Sequence, residues 1–407
     1  MNKTIGVGGY TKEQALAELK DMTADAKPIS LEEYQARIDK AQQLMQQAQL
    51  EAVYLNAGTN LYYFTGTRWY ASERLVGAIL PAKGDLIYIA PYFEINTLDG
   101  FMQVKGDIKG WHEDECPYTL VINTLKAMGI NRGRIGMDES TSFFISDGLA
   151  SAGDDYRFVS AKSVTAGCRG CKSPAELELM QIAKNMTLEV HKAAAKILKP
   201  GISTGEVKAF IDEAHRKVGA RAGSSFCIVL FGVDSSFPHG VKTPKTLEMN
   251  DVVLIDTGCL VEGYNSDITR TYVYGEANER QREIWQIEKD AQAAAFEKAQ
   301  LGVPCGDVDI AARDYLTAKG LGPDYEVPGL PHRTGHGIGL DIHEWPYLVK
   351  NDRTPLSVGM CFSNEPMLVM PEEFGIRLED HFYMSENGPV WFTQPQYSID
   401  DPFGLEA

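Results

Sequence analysis

The stretch Val252-Val253-Leu254-Ile255-Asp256-Thr257-Gly258 reads as an apolar strand that ends on an acid. A carboxylate inside a sheet is costly unless a counter-charge or a metal compensates for the lost water. Past the turn-like Glu262-Gly263-Tyr264-Asn265, a second strand begins in Ser266-Asp267-Ile268-Thr269-Arg270-Thr271. If the two strands pair as a hairpin, the carboxylates of Asp256 and Asp267 lie near one another. Taken alone, two turn or capping aspartates are the plainer reading.

More acids and a histidine follow in similar settings. Thr334-Gly335-His336-Gly337-Ile338-Gly339-Leu340 surrounds His336 with glycines, whose missing Cβ lets backbone approach a ligand closely. The loop lacks the lysine and hydroxyl residue of a Walker motif. His332, His336 and His343 put three of the eight histidines within twelve residues, which argues for a site. Phe362-Ser363-Asn364-Glu365-Pro366 and Gly375-Ile376-Arg377-Leu378-Glu379-Asp380 each set a glutamate amid apolar strand residues. Period-2 spacing turns Arg377 and Glu379 to one face. A cross-strand ion pair is the bland account of Arg377, worth about 0–1 kcal/mol if exposed. In this company an arginine that fixes a ligating carboxylate fits better. His239, in Phe237-Pro238-His239-Gly240, is a weaker candidate; His112, His191, His215 and His381 read as surface or structural.

In chain order, Asp256, Asp267, His336, Glu365 and Glu379 supply four carboxylates and one imidazole. Such donors suit a pair of borderline-hard divalent ions such as Mn(II) or Co(II). Carboxylates can bridge two ions about 3.5–4 Å apart, which together activate a shared water and polarise a carbonyl.

The chain's bulk properties narrow the setting. At 407 residues it exceeds one usual core, so two domains are expected. A net charge of −17 without a basic tract excludes nucleic-acid binding as a working hypothesis. No long apolar run and no signal-like start appear, which predicts a soluble cytoplasmic protein without a membrane partner. Seven scattered cysteines suit a reducing compartment, and the close pair Cys168-Arg-Gly-Cys171 reads as inert thiols.

A helix is expected over Leu31 to Ala48, a strand over Ala52 to Leu55, and a helix over Pro117 to Met128. Between them Asn60 to Gly66, Arg74 to Leu80 and Asp85 to Ala90 read as turn and strand segments, giving an α/β domain over residues 1–162. Ser173-Pro174-Ala175-Glu176 forms a capping box with proline at the first helical position and opens a long helix. The mixture of helices and strands beyond it predicts an α+β domain over residues 163–407.

On these residues the chain resembles the metallopeptidases of the pita-bread fold, the group containing methionine aminopeptidase, aminopeptidase P and prolidase (Xaa-Pro dipeptidase). The resemblance covers roughly residues 165–395, and its polar spacing follows the proline-specific branch. The segment Asn60-Leu61-Tyr62-Tyr63-Phe64-Thr65-Gly66 also looks like the smaller domain that precedes the catalytic one in that branch. The resemblance implies that Asp256 chelates one metal, Asp267 and Glu379 bridge both, and His336 with Glu365 completes the other. It implies hydrolysis of Xaa-Pro bonds by a metal-bridging hydroxide, with Glu365 handling the proton and His343 stabilising the substrate carbonyl. His239 would assist near the scissile nitrogen and bind substrate, His332 would line the pocket, and Arg377 and Thr269 would back the ligands. Two divalent ions are implied, Mn(II) first, with Co(II), Zn(II) or Fe(II) compatible, in a homodimer.

Two departures bear on substrate choice: Gly240 follows His239, and Glu344-Trp345-Pro346 sets a bulky aromatic near the pocket rim. Creatinase, a metal-free hydrolase on this scaffold, is disfavoured because all five ligand positions are filled. The alternative is another metal-dependent enzyme acting on a small molecule, such as a dimethylsulfoniopropionate lyase. A metal-free binding module ranks behind both.

Overall fold

The computed structural model describes residues 4–406 and divides into two units, Pro28–Arg169 and a larger one from Gly170 onward that also takes in the residues up to Lys27. In the smaller unit Ser30 accepts from the Glu33 amide and opens the helix Leu31–Gln47, which turns Tyr34, Ile38, Ala41 and Met45 inward at helical spacing. The sheet contains β1 (Ala52–Asn56), β2 (Gly77–Pro81), β3 (Ile87–Pro91), β4 (Asp107–Trp111), β5 (Gly133–Met137) and β6 (Tyr156–Ser160). Their order is β4-β3-β2-β1-β5-β6, with β1 antiparallel to β2 and parallel to β5.

One segment of this unit departs from expectation. Asn60 to Gly66, read as turn and strand, lies in the helix Thr59–Thr65, closed by Gly66 at φ 69°. Its cause is tertiary. The Asn60 amide donates to the buried Asp138 carboxylate at 2.8 Å and its oxygen accepts from Arg169 at 3.1 Å, outweighing the strand preference of the Tyr-Tyr-Phe-Thr run.

The domain division expected after residue 162 also shifts. Lys162–Arg169 is a helix that packs on Leu31–Gln47, so the smaller unit runs to Arg169. The first residues belong elsewhere: Thr4 Oγ1 donates to Val273 O at 2.6 Å, Gly8 N to Ala195 O at 2.9 Å, and Met22 N to Val218 O at 2.9 Å. Those partners lie far along the chain, where no local pattern announces them.

In the larger unit the helices Pro174–Lys196, Thr204–Lys217 and Glu279–Lys298 begin with reciprocal capping boxes, Ser173 with Glu176, Ser203 with Glu206, and Asn278 with Gln281. Its first strands are β7 (Phe226–Phe231), β8 (Val252–Gly258), the short pair β9 (Leu260–Val261) and β10 (Tyr264–Asn265), and β11 (Ile268–Val273). The expected hairpin forms: β8, buried throughout, lies between β7 and β11, with Asp256 opposite Ile228 and Thr269. The later strands are β12 (Gly335–Gly337), β13 (Glu344–Leu348), β14 (Cys361–Asn364), β15 (Met367–Met370), β16 (Phe374–Arg377), β17 (Asp380–Ser385) and β18 (Gly388–Trp391). Five form a sheet in the order β13-β12-β14-β17-β18, and β15 pairs with β16. A bridge from Thr269 to Glu379 ties β11 to the break between β16 and β17. No helix among the described residues is long and apolar enough to cross a membrane. Cys168 is buried and Cys171 half-buried, and neither is in a disulfide.

Lys172 and Glu344 form an ion pair with almost no exposed side-chain surface. Gly339 packs directly on it, where a Cβ would stand 2.7 Å from Glu344 Oε1 and 2.9 Å from Lys172 Cε. Burial alone would pull the Lys172 pKa down; Glu344, Cys361 and Glu176 raise it above the ordinary value. Removing one partner of such a pair leaves an uncompensated charge in the core. Lys172→Met is expected to lower unfolding free energy in urea by about 3–5 kcal/mol, with most of the loss recovered in Lys172→Met/Glu344→Met. An unchanged midpoint for the single variant would show that Glu344 finds another partner.

Candidate metal centre

The five candidate ligands come from separate segments of the larger unit and share one cavity of about 560 Å³. Asp256, Asp267, His336, Glu365 and Glu379 line it together with His239, His332, His343 and Arg377. Asp256 lies within β8, Asp267 just before β11, and His336 at the middle of β12. Glu365 and Glu379 do not lie inside strands: each occupies the break between two, after β14 and after β16. Their amides still donate, to Thr334 O at 2.8 Å and to Thr269 O at 3.2 Å, so the breaks leave no backbone donor unpaired.

The glycines beside His336 answer to neighbouring strands. A Cβ at Gly335 would stand 2.0 Å from Ser363 O, and one at Gly337 2.4 Å from Glu344 O. They admit adjacent backbone, whereas close approach of a ligand was the expectation. His336 Nδ1 lies 3.0 Å from Gly337 O, and a carbonyl can only accept, so Nδ1 carries the proton. Nε2 then faces Glu365 Oε1 at 3.1 Å and Asp267 Oδ2 at 3.7 Å. Carboxylate oxygens at this range from a ring nitrogen need a positive centre between them, a metal ion or a proton.

Three sets of side chains offer ligand atoms within 4.8 Å of one another: Asp267 with His336 and His343, Asp267 with Glu379 and His381, and His336 with Glu365 and Glu379. Asp256 belongs to none of these sets. Its Oδ2 accepts from Arg377 Nη2 at 2.6 Å, while its Oδ1 is buried without a partner. Asp267 Oδ1 and Glu379 Oε1 are likewise buried and unpartnered. These orphaned oxygens, facing one cavity beside a fixed imidazole, fit divalent cations.

Burial, then the neighbouring carboxylates, push Asp267 and Glu379 well above the ordinary carboxylate range. Burial also raises Asp256, although Arg377 opposes it. Glu365 goes the other way: burial would raise it, but His336, His332 and Arg377 hold it below its usual value. Thr269 sits behind the ligands. Its hydroxyl donates to Glu379 Oε2 at 2.7 Å and accepts from Arg377 Nε at 3.2 Å. His343 is exposed at the cavity wall, yet its ring centroid lies 4.1 Å from that of His336. Desolvation of its inner side, then His336 and Arg333, lowers its pKa to about 4.

Some residues stand differently from their sequence reading. His381 is fully buried beside Glu379, with Nε2 3.7 Å from Glu379 Oε1. The period-2 argument that joined Arg377 to Glu379 extends to His381 and would have found it. Ser363 was passed over: its hydroxyl donates to Glu365 Oε1 at 3.1 Å and accepts from His336 N at 2.9 Å. Gly240 adopts φ 94° in a turn closed by its amide on Phe237 O at 2.9 Å, so backbone conformation accounts for it. Ile342 and Val349 line the cavity and Trp345 does not. His191 and His215 are buried outside the cavity lining and hydrogen-bonded, to Ile268 O and to Thr187 with Ser224.

Ligation requires carboxylates, so ions entering this centre displace the protons that Asp267 and Glu379 retain. Metal titration of the depleted protein by calorimetry in buffers of differing ionisation enthalpy is expected to register net proton release at pH just above the ordinary carboxylate range. Between the ordinary values of 3.8 and 4.5 and the raised ones, the folded metal-free chain binds more protons than the unfolded chain. Its stability therefore falls as pH rises through that window, and bound metal removes the slope. Buffer-independent binding heats would contradict this charge balance.

Comparison with known proteins places the chain. Residues 178–386 match Metallopeptidase family M24, and residues 37–171 match the Creatinase/Prolidase N-terminal domain. The putative dipeptidase YkvY of Bacillus subtilis is 33% identical over 88% of this chain and 97% of its own. A Xaa-Pro dipeptidase of Pyrococcus furiosus is 31% identical over 89% of this chain and 99% of its own. Among solved structures, the dipeptidase PepE of Mycobacterium ulcerans superposes with a TM-score of 0.83 at 32% identity, covering 90% of this chain and 97% of that one. With three buried acids, a half-buried fourth and an oriented histidine converging on one cavity, and these matches along both units, the chain belongs to metallopeptidase family M24.

Proposed function

We propose that this metallopeptidase cleaves Xaa-Pro bonds, and that its centre takes two divalent ions, Mn(II) first, with Co(II), Zn(II) and Fe(II) accepted by the same donors. The observation that carries the reading is the convergence of Asp256, Asp267, Glu365 and Glu379 around Nε2 of His336, with one unpartnered buried oxygen each on Asp256, Asp267 and Glu379. Relatives named dipeptidase and Xaa-Pro dipeptidase support the substrate class.

In this reading Asp256, Asp267, His336, Glu365 and Glu379 hold the ions, with Asp267 and Glu379 shared between them. Bound divalent ions lower the pKa of water and polarise the scissile carbonyl. Glu365, kept anionic by His336, His332 and Arg377, accepts the proton of the attacking water and returns it to the leaving nitrogen. His343, neutral at the cavity wall, donates to the carbonyl oxygen. His239, part of the same lining, would assist near the scissile nitrogen. His332 donates through Nδ1 to Arg333 O at 2.7 Å, which leaves Nε2 unpartnered for the substrate. Arg377 and Thr269 hold the carboxylates from behind.

The chemistry suits proline. An Xaa-Pro bond is a tertiary amide without N–H, so an enzyme that grips substrate as a strand loses a donor there. A recessed cavity that activates the carbonyl directly avoids this need and reads the ring by shape.

Removal of metal by chelation is expected to abolish activity and Mn(II) or Co(II) to restore it; full turnover in a metal-free preparation would defeat the proposal. Asp267→Asn and Glu379→Gln should each lower metal content and kcat together, whereas two ions retained in both would contradict the shared-ligand assignment. A panel of Ala-Pro, Xaa-Pro-Xaa tripeptides and non-peptide amides tests the substrate: dipeptide turnover alone marks a prolidase, and tripeptide turnover an aminopeptidase P. Turnover of neither returns the site to small-molecule chemistry.

A further inference from the structure

A second histidine, His381, stands beside two of the same carboxylates, Asp267 and Glu379. His381, the second residue of β17, has no exposed surface, and neither of its ring nitrogens has a hydrogen-bond partner. Imidazole always presents a donor or an acceptor at each nitrogen, so a buried ring normally satisfies both. His215 shows the ordinary solution in this fold, with both ring nitrogens hydrogen-bonded to hydroxyls, and His191 places one nitrogen on a carbonyl.

His381 instead aims at other unsatisfied atoms. Its Nε2 lies 3.7 Å from Glu379 Oε1, an oxygen that is itself buried without a partner. Ligand atoms of Asp267, Glu379 and His381 lie within 4.8 Å of one another, close enough for one ion to touch all three. The separation is too long for a hydrogen bond and suits two donors on a common cation. We propose that His381 is a sixth protein ligand of the centre, donating a ring nitrogen to an ion held by Asp267 and Glu379.

This inference rests on the metal-centre reading and changes its chemistry. With His336 as the only imidazole the donors are almost wholly oxygen, which suits Mn(II). A second imidazole moves the set toward Co(II), Zn(II) and Fe(II). Metal preference would then depend on one residue of β17.

The test is calorimetric titration of the metal-depleted full chain with CoCl2 and with MnCl2, together with the visible absorption of bound Co(II), in wild type, His381→Gln and His381→Val. Loss of a partner that merely orients a ligand costs about 10–100-fold in metal affinity. The proposal expects more: affinity for one Co(II) falls by over about 100-fold, Mn(II) affinity falls less, and the Co(II) spectrum changes. A loss within about 100-fold, equal for both metals and with an unchanged spectrum, makes His381 an orienting partner and overturns the assignment. Wild type that binds neither ion removes the metal centre itself, an outcome distinct from failure of this ligand. If both variants unfold by circular dichroism, X-ray absorption of Co(II)-loaded His343→Gln protein decides: one imidazole per ion supports the proposal, and one for every two ions overturns it.

Discussion

Carboxylates crowded into one dry wall repel each other, and the larger unit is arranged around containing that repulsion. Asp256, Asp267, Glu365 and Glu379 meet where water cannot screen them. The resident cation among them, Arg377, is committed to Asp256 by a 2.6 Å bond and steadied by Thr269 and Pro238 O. Its planar guanidinium reaches all three from one position, which a lysine ammonium does not do as readily. The charge still unbalanced defines what the cavity attracts.

The strands keep this cluster from relaxing. β8 runs buried between two neighbours, so Asp256 cannot swing out without breaking a ladder on both sides. Glu365 and Glu379 lie at interruptions, yet each amide is bonded across to another strand. Buried Arg270 reinforces the second of these: it donates to Glu379 O at 3.0 Å and to Asp380 Oδ1 at 2.7 Å. Rigid backbone thus holds charges that would otherwise part, the preorganised polarity on which hydrolytic centres depend.

Much of the centre was legible because acids are rare in apolar strands, which singled out Asp256, Glu365 and Glu379. Local pattern also marked the capped helix at Ser173 and the hairpin of β8 with β11. Convergence was not legible from residues alone. It depends on the Thr269–Glu379 bridge, whose partners stand far apart in sequence, and only resemblance to a family anticipated it. His381 stayed hidden because a histidine among strand residues is usually structural, although its period-2 relation to Glu379 pointed to it. The glycines around His336 were legible as close-approach points, but what approaches them is peptide backbone. Asn60 to Gly66 looked extended by composition, and a buried bond to Asp138 made it helical.

The attachment of residues 4–27 to the larger unit makes the smaller one an insertion in topology. On the ribosome, Thr4, Gly8 and Met22 emerge long before Val273, Ala195 and Val218 exist to receive their hydrogen bonds. Pro28–Arg169 carries its own complete sheet and apolar core, so it can close while the leading segment waits. Residues 4–27 are then among the last of the described residues to find their places, because the groups that receive them are made after them.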